Sequence, residues 1–561
     1  MQEPKVERTD PPPGDAAQDA LDLQAVGYEP VLKRYFGFVE SFSASFCAMN
    51  FIGVTRMLLY IGLSTGGPAA LFSTSVIVVF GVTATAAVLA EICSALPLSG
   101  SIYIWASEAA GKRWARLTGF VVAWWACTAW ISFTASNSQG PAQYLLSLMV
   151  LFGSDIPGGL TPENPNYRYI LFAVTLGCLW LALALNYLPP RYFSWTFRFT
   201  VGLLFVDLLL SVTWFPVGVS RTYGFRSAQE VFTGRNNTTG FSDAWAWVLS
   251  FYYAGYAPVG YDAAGHVSEE TRNASTTSAR GIFWSGFASA VLALVATIVW
   301  LFCIPPDDIL ATFDAPQPFV QIWAASIGRG GAVVMTVIAV LGLILSTSCA
   351  VTASSRLIFA IARDGILPGS RWIAKPSPQG QPRNAVTVIL VVSTLLLIIS
   401  IGSQVAFTSL LSAGATSMST GQVARLTRPS LYQRVLVDLL VPPAGHSEGV
   451  QEQQMEPWAV GSIVLHHWIP VQPVPPGRDV LSSRVSLHGS DLQLCNRHHG
   501  WCVNIRDHLL VGHPRGSMAP SGTGGRDEEA RPRDIDMRRR LHRSAVNHEM
   551  VKAVAFGADR T

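Results

Sequence analysis

The sequence is short of charge. Only 13% of its 561 residues are Asp, Glu, Lys or Arg, about half the share in an ordinary soluble domain, which excludes a chain folded as several water-exposed domains. Histidine is almost missing from the first 413 residues, where His266 stands alone. There is no HExxH, and no Ser or Cys has an evident base nearby, so an enzyme is not expected and no cofactor is required. The eight Cys are scattered without a CxxC or a secreted-type framework, which excludes a disulfide scaffold. A net charge of +3 is too small to argue for nucleic acid as a partner. The N-terminus also lacks the basic stretch and short apolar run of a signal peptide. Residues 1–34, with three prolines at 11–13, read instead as a disordered cytosolic arm.

What is present is apolar length. Half of the residues are apolar and the mean hydropathy is +0.33. From about 35 to 413 the chain alternates apolar runs of about twenty residues with short polar connections, each run long enough to cross a bilayer as a helix. Nine runs are read: 36–61, 69–93, 117–150, 168–187, 195–217, 244–265, 281–304, 330–353 and 385–411. The fold class is therefore all-α, a polytopic membrane protein whose surroundings are lipid. Lys33, Arg34, Lys112, Arg113, Arg116, Arg191, Arg198, Arg272, Arg280, Arg356, Arg363, Arg371, Lys375 and Arg383 fall on one side. Arg168, Arg221, Arg226 and Arg235 fall on the other. The positive-inside rule then puts the N-terminus in the cytosol.

Two runs carry what a bilayer makes expensive. The sixth reads FYYAGYAPVGYDAAGHVSEET from 251 to 271, with Gly255, Pro258 and Gly260 at mid-membrane depth. The first gathers Ala48, Asn50, Gly53 and Thr55, with Arg56 directly after. Each pattern fits either a simple kink or small-residue helix contact, or a helix broken around a cavity that re-satisfies its freed backbone groups. The two runs open successive five-helix halves, and weak helices at corresponding positions are the sequence pointer to a transporter's midplane site. A half-helix N-terminus suits a carboxylate and opposing carbonyl ends suit a cation, and an amino acid has both groups.

Asp207 lies inside the fifth run, in LLFVDLLLSV, where a charge is costly, so it is either a proton-coupling residue or a paired structural carboxylate. Asp262 and His266, four apart on one helical face, could form a gate with Arg363. Glu269 and Glu270 read as solvated loop charges.

Three segments carry a resemblance. AEICSALPLSGSIYIWASEAAG (90–111) is similar to the end of the second helix in the amino acid–polyamine–organocation permeases. GYDAAGHVSEET (260–271) resembles the sixth helix and its exit in fungal GABA and choline permease relatives, and SSRLIFAIARDGILP (354–368) resembles the loop after their eighth helix. The resemblance implies a LeuT-like bundle of two inverted repeats that imports an amino acid or related amine, such as GABA, choline or a polyamine, usually with a proton. A plasma or vacuolar membrane location goes with it. Carried over, the substrate would touch Asn50 and Gly53 of helix one and Tyr256, Pro258 and Gly260 of helix six. Trp124, Trp125 and Thr128 of helix three would close one side, although Trp in a membrane helix is often packing or lipid contact. Ser346, Thr347 and Ser348 face the place where some relatives hold sodium, a less expected partner than the proton; three such hydroxyls also serve as backbone bonders. No metal site is expected.

Residues 414–561 break the pattern. They offer no further run of twenty apolar residues, and they hold ten of the eleven His and sixteen Arg against a single Lys. The second repeat reads as incomplete after the ninth helix and the tail as disordered, so a non-transporting nutrient sensor or an inactive truncated permease is the alternative function. Cys495, His498, His499 and Cys502 are too crowded, without a second knuckle, to argue for zinc.

Overall fold

The computed structural model describes residues 28–409 apart from 155, 162, 190, 307–314 and 405, together with 23–24, 493–496 and 501–504. The apolar runs are helical over most of their described length, and seven helical stretches are long and apolar enough to cross a membrane. The chain is thus an all-α integral membrane protein. The first two runs share one stretch, α1 (Phe38–Met49) and α2 (Phe51–Ala95). The third is α3 (Ser101–Leu151), the fourth α4 (Pro165–Ala184), and the fifth α5 (Arg191–Val212) with the short α6 (Trp214–Ser220). Two further short helices, α7 (Ala228–Thr233) and α8 (Asp243–Leu249), lead into the sixth run. That run is divided into α9 (Phe251–Tyr256) and α10 (Ala263–His266). The remaining elements are α11 (Ala274–Cys303), α12 (Phe319–Arg363), α13 (Ser370–Ile373) and α14 (Arg383–Gly402).

The long stretches bend where the sequence demands it. Inside α2, Gly67 takes φ 77° immediately before Pro68, because a residue preceding proline is excluded from helical geometry. A Cβ there would also lie 2.5 Å from the Asn236 backbone nitrogen, so only glycine lets the connecting loop lie this close. In the bundle α11 runs along α2 and α12 along α3. The contacts are rich in small residues, with Ser43, Ser278, Ser285, Ser289 and Ala296 fully buried, the composition that brings helices together without a hydrophobic drive between them. Large apolar side chains such as Phe80, Trp195 and Leu209 point outward, 59–70% exposed, which water would penalise and lipid accepts.

The arm is not free throughout its length. Leu32 and Phe36 are buried in the bundle, and Phe36 N–H donates to Glu270 O at 2.9 Å while Arg272 N–H donates to Phe36 O at 2.9 Å. Packed structure therefore begins before the expected boundary at residue 34. In a second unit, β1 (Gln493–Asn496) and β2 (Trp501–Asn504) form an antiparallel hairpin with Cys495 opposite Cys502. The rest of the tail reading, the ninth-helix end at 410–413 included, falls outside the described residues.

Candidate functional site

Both expected interruptions are present and face each other. Asn50 sits between α1 and α2 in the left-handed region, φ 39° and ψ 56°, and its Oδ1 accepts from Gly53 N–H at 3.1 Å. The side chain thus caps one of the orphan amides of the second half-helix. Gly53 is required by that cap, since a Cβ would stand 2.9 Å from the Asn50 carboxamide. In the sixth run the helix stops at Tyr256 and resumes at Ala263, with Pro258 and Gly260 in the turn. Gly260 has φ 111°, a conformation that side chains rarely adopt. Its Cβ would face Trp130 Cη2 at 3.5 Å and Met49 Cγ at 3.8 Å, so this turn lies directly against helices one and three.

Neighbouring hydroxyls meet the freed backbone. Ser45 Oγ donates to Tyr261 O at 2.7 Å and accepts from Ala264 N–H at 2.7 Å, bridging the point where the helix of the sixth run resumes. Ser346 Oγ donates to Cys47 O at 2.6 Å, just before the break in the first. Thr347 accepts from Asn137 Nδ2 at 2.8 Å, and Ser348 Oγ accepts from Asn186 Nδ2 at 3.1 Å. All three hydroxyls of helix eight are engaged within the protein, Thr347 also as the i−4 backbone bonder to Leu343 O at 2.8 Å.

Asp262 and His266 are brought together as their spacing suggests, with Nε2 3.2 Å from Oδ2 and both side chains fully buried. The separation is short but off the hydrogen-bond axis: neither Asp262 oxygen nor His266 Nε2 has a hydrogen-bond partner. Trp130 packs edge-on to the His266 ring at 5.6 Å, and its own Nε1 is also without a partner. Buried polar atoms left unpaired are expensive, and here three side chains at one helix break share the condition.

Arg363 does not join that pair. It forks onto Glu269 with bonds of 2.9 and 3.0 Å and lies 4.2 Å from the Tyr28 ring centre. Glu269 and Glu270, expected in solvent, are only 3% and 1% exposed, and Glu270 pairs with Arg356 at 2.9 Å. Asp364 accepts from Tyr103 Oη at 2.6 Å and from Tyr28 Oη at 3.2 Å. Burial lifts the Asp364 carboxyl above its ordinary 3.8, against the pull of those hydroxyls and Arg363, and burial likewise raises Glu270 despite Arg356. This polar cluster seals the side of the bundle that carries residues 28–36.

The placement of helix three needs correction. Trp124 and Trp125 are 38% and 37% exposed and Thr128 is exposed as well, so the wall against helix six is Trp130 instead. Asp207 is not a lone carboxylate either, since Arg56 Nη2 lies 2.6 Å from its Oδ1. Tyr256 ends α9 half-buried beside Tyr252.

Two broken helices packed against each other beside buried polar side chains, inside a bundle with a lipid-compatible exterior, are the architecture of a solute carrier. The sequence comparisons agree. Over 432 residues the chain is 42% identical to a thiamine transporter of Schizosaccharomyces pombe, covering 72% of this chain and 73% of that one. It is 28% identical over 414 residues to an uncharacterised amino-acid permease of the same organism, covering 73% and 72%. It is 27% identical over 402 residues to an amino-acid permease BAT1 homolog of Oryza sativa subsp. japonica, covering 70% and 76%. With residues 36–420 matching the amino acid permease family, the chain belongs to that family and is a membrane transporter of amino acids or related compounds.

Proposed function

We propose that this permease carries an organic amine by proton-coupled secondary transport, and that thiamine is its first candidate substrate. The observation that carries the reading is the set of unmet polar atoms at the break: both oxygens of Asp262 and the Nε1 of Trp130. An unpaired carboxylate in low dielectric costs several kcal/mol, and a cation beside it removes that cost. The Trp130 ring, within van der Waals reach of a Cβ at Gly260, offers a face to a cationic or heteroaromatic group. Thiamine combines a thiazolium cation with an aminopyrimidine, and it is named in the relative that is 42% identical. A free amino acid, the solute class named for the more distant relatives, would bring an ammonium to the same carboxylate.

Coupling follows from competition. A proton shared by Asp262 and His266 and a cationic substrate are alternative ways of balancing one buried charge, so binding of one favours release of the other. Asn50, Gly53, Tyr256, Pro258 and Gly260 shape the space, and the Lys and Arg distribution supports a cytosolic Tyr28 side.

The test is uptake of labelled thiamine into proteoliposomes holding the full chain, with an acid interior and a panel of unlabelled thiamine, amino acids, GABA, choline and polyamines. Saturable uptake, stimulated by acid inside the vesicles and competed best by cationic amines, is the expected result. Competition by neutral solutes alone, or indifference to the pH gradient, would defeat the reading.

A further inference from the structure

The Asp262–His266 pair has a third member that no motif announces. Ser101 Oγ lies 2.7 Å from His266 Nδ1, and both residues are fully buried. Ser101 opens α3 with φ 28°, a left-handed backbone that a serine adopts only against strain, and such outliers collect where geometry serves a site. The approach is also cleared from the other side: a Cβ on Gly265 would stand 3.2 Å from Ser101 Cβ and 3.0 Å from Trp105 Cη2. A strained serine and a glycine next to His266 together bring one hydroxyl onto one ring nitrogen.

We propose that Ser101 is a positioning residue for the proton step, holding neutral His266 as the Nε2–H tautomer with that nitrogen beside Asp262. The inference rests on the reading of Asp262 and His266 as the coupling pair. Among the described residues the hydroxyl has no other hydrogen-bond partner, so it can donate to Nδ1, which leaves the ring proton on Nε2, 3.2 Å from Asp262 Oδ2. When the ring takes a second proton, Nδ1–H becomes a donor and the same hydroxyl turns to accept it. Ser101 therefore supports both protonation states, and the cationic one more, since hydrogen bonds to charged groups are the stronger.

The groups around the ring fit this assignment. Trp130 closes one edge, and Asp262 is the charged group in contact with it. Farther along, Glu269 is neutralised by Arg363 and accepts from Ser99 N–H at 3.1 Å, two residues before Ser101. The hydroxyl thus ties the proton site on helix six to the segment that precedes helix three, a link that a change of protonation pulls upon.

The experiment is a pH titration by nitrogen NMR of the full chain, labelled at histidine and held in nanodiscs. His266→Gln identifies the His266 signals among those of the ten tail histidines. Ser101→Gly is the main variant, because it removes the hydroxyl and relieves the backbone strain together, so folding is not put at risk. In the wild type, neutral His266 is expected to carry its proton on Nε2. In S101G its midpoint should fall by about half a pH unit or more, as the imidazolium loses its acceptor. The acid limb of thiamine uptake should move in the same direction. An Nδ1–H tautomer in the wild type, or an unchanged midpoint in S101G, overturns the inference. A titration as expected in a chain that transports no amine would leave Ser101 holding the ring and defeat the transport reading alone.

Discussion

Arg56 on α2 and Asp207 on α5 meet at 2.6 Å, with their side chains 0% and 4% exposed. The guanidinium also lies 4.9 Å from the Trp323 ring centre and 5.4 Å from that of Trp300. Removing one partner of a buried pair leaves an uncompensated charge at about 3–5 kcal/mol, whereas replacing both with apolar groups costs little. Asp207→Asn is expected to lower yield and thermal stability, and the double variant R56M/D207L to recover most of the loss. Melting curves in detergent check this. A stable D207N protein that had lost only its pH response would return Asp207 to proton exchange.

Ser45→Ala removes the hydroxyl that serves both Tyr261 O and Ala264 N–H. Losing these two bonds costs about 1–3 kcal/mol, so the variant should show faster amide exchange at 261–264 and weaker ligand binding. Unchanged exchange there would mean that water or substrate already satisfies the gap.

At Gly260 the backbone turns through φ 111° beside Trp130. Gly260→Leu is expected to abolish binding of labelled amine, by strain and by filling the space before Trp130, while the chain still inserts into the membrane. Retained affinity would remove the helix-six break from the site.

Proton linkage gives a pH prediction for the sealed side. Burial raises Asp364 from 3.8 and Glu270 from 4.5, so the folded chain binds protons more tightly than the unfolded chain. Their contribution is full below the ordinary carboxylate values and is lost as the pH rises through the raised ones. Melting temperature should therefore fall as the pH rises from about 4 across that interval. Tyr28→Phe removes a hydrogen bond that opposes the Asp364 shift and should extend the fall to higher pH. A melting temperature that rises over the same interval would contradict the burial of these carboxyls.

The apolar runs and both breaks were legible because helix length and the cost of Pro and Gly at mid-membrane act locally. Partner choice was not. Glu270 meets Arg356 from 86 residues away and Arg56 meets Asp207 from 151 away, separations at which no spacing rule applies, so Glu269 and Glu270 looked like loop charges. Helix three failed through rotation: Trp124 and Thr128 share a face by the four-residue rule, and nothing local says that the face toward helix six is the one carrying Trp130. Ser101 carried no signal beyond its place between Gly100 and Ile102, because its role depends on a backbone angle.

The account turns on Asp262 as the carboxylate that meets either a substrate cation or a proton. Uptake of labelled thiamine by Asp262→Asn, set beside the wild type in the same proteoliposomes and at two external pH values, tests it most directly. Loss of at least tenfold in uptake, with no remaining response to external acid, is the predicted result. Saturable uptake by D262N that still follows the pH gradient would contradict it.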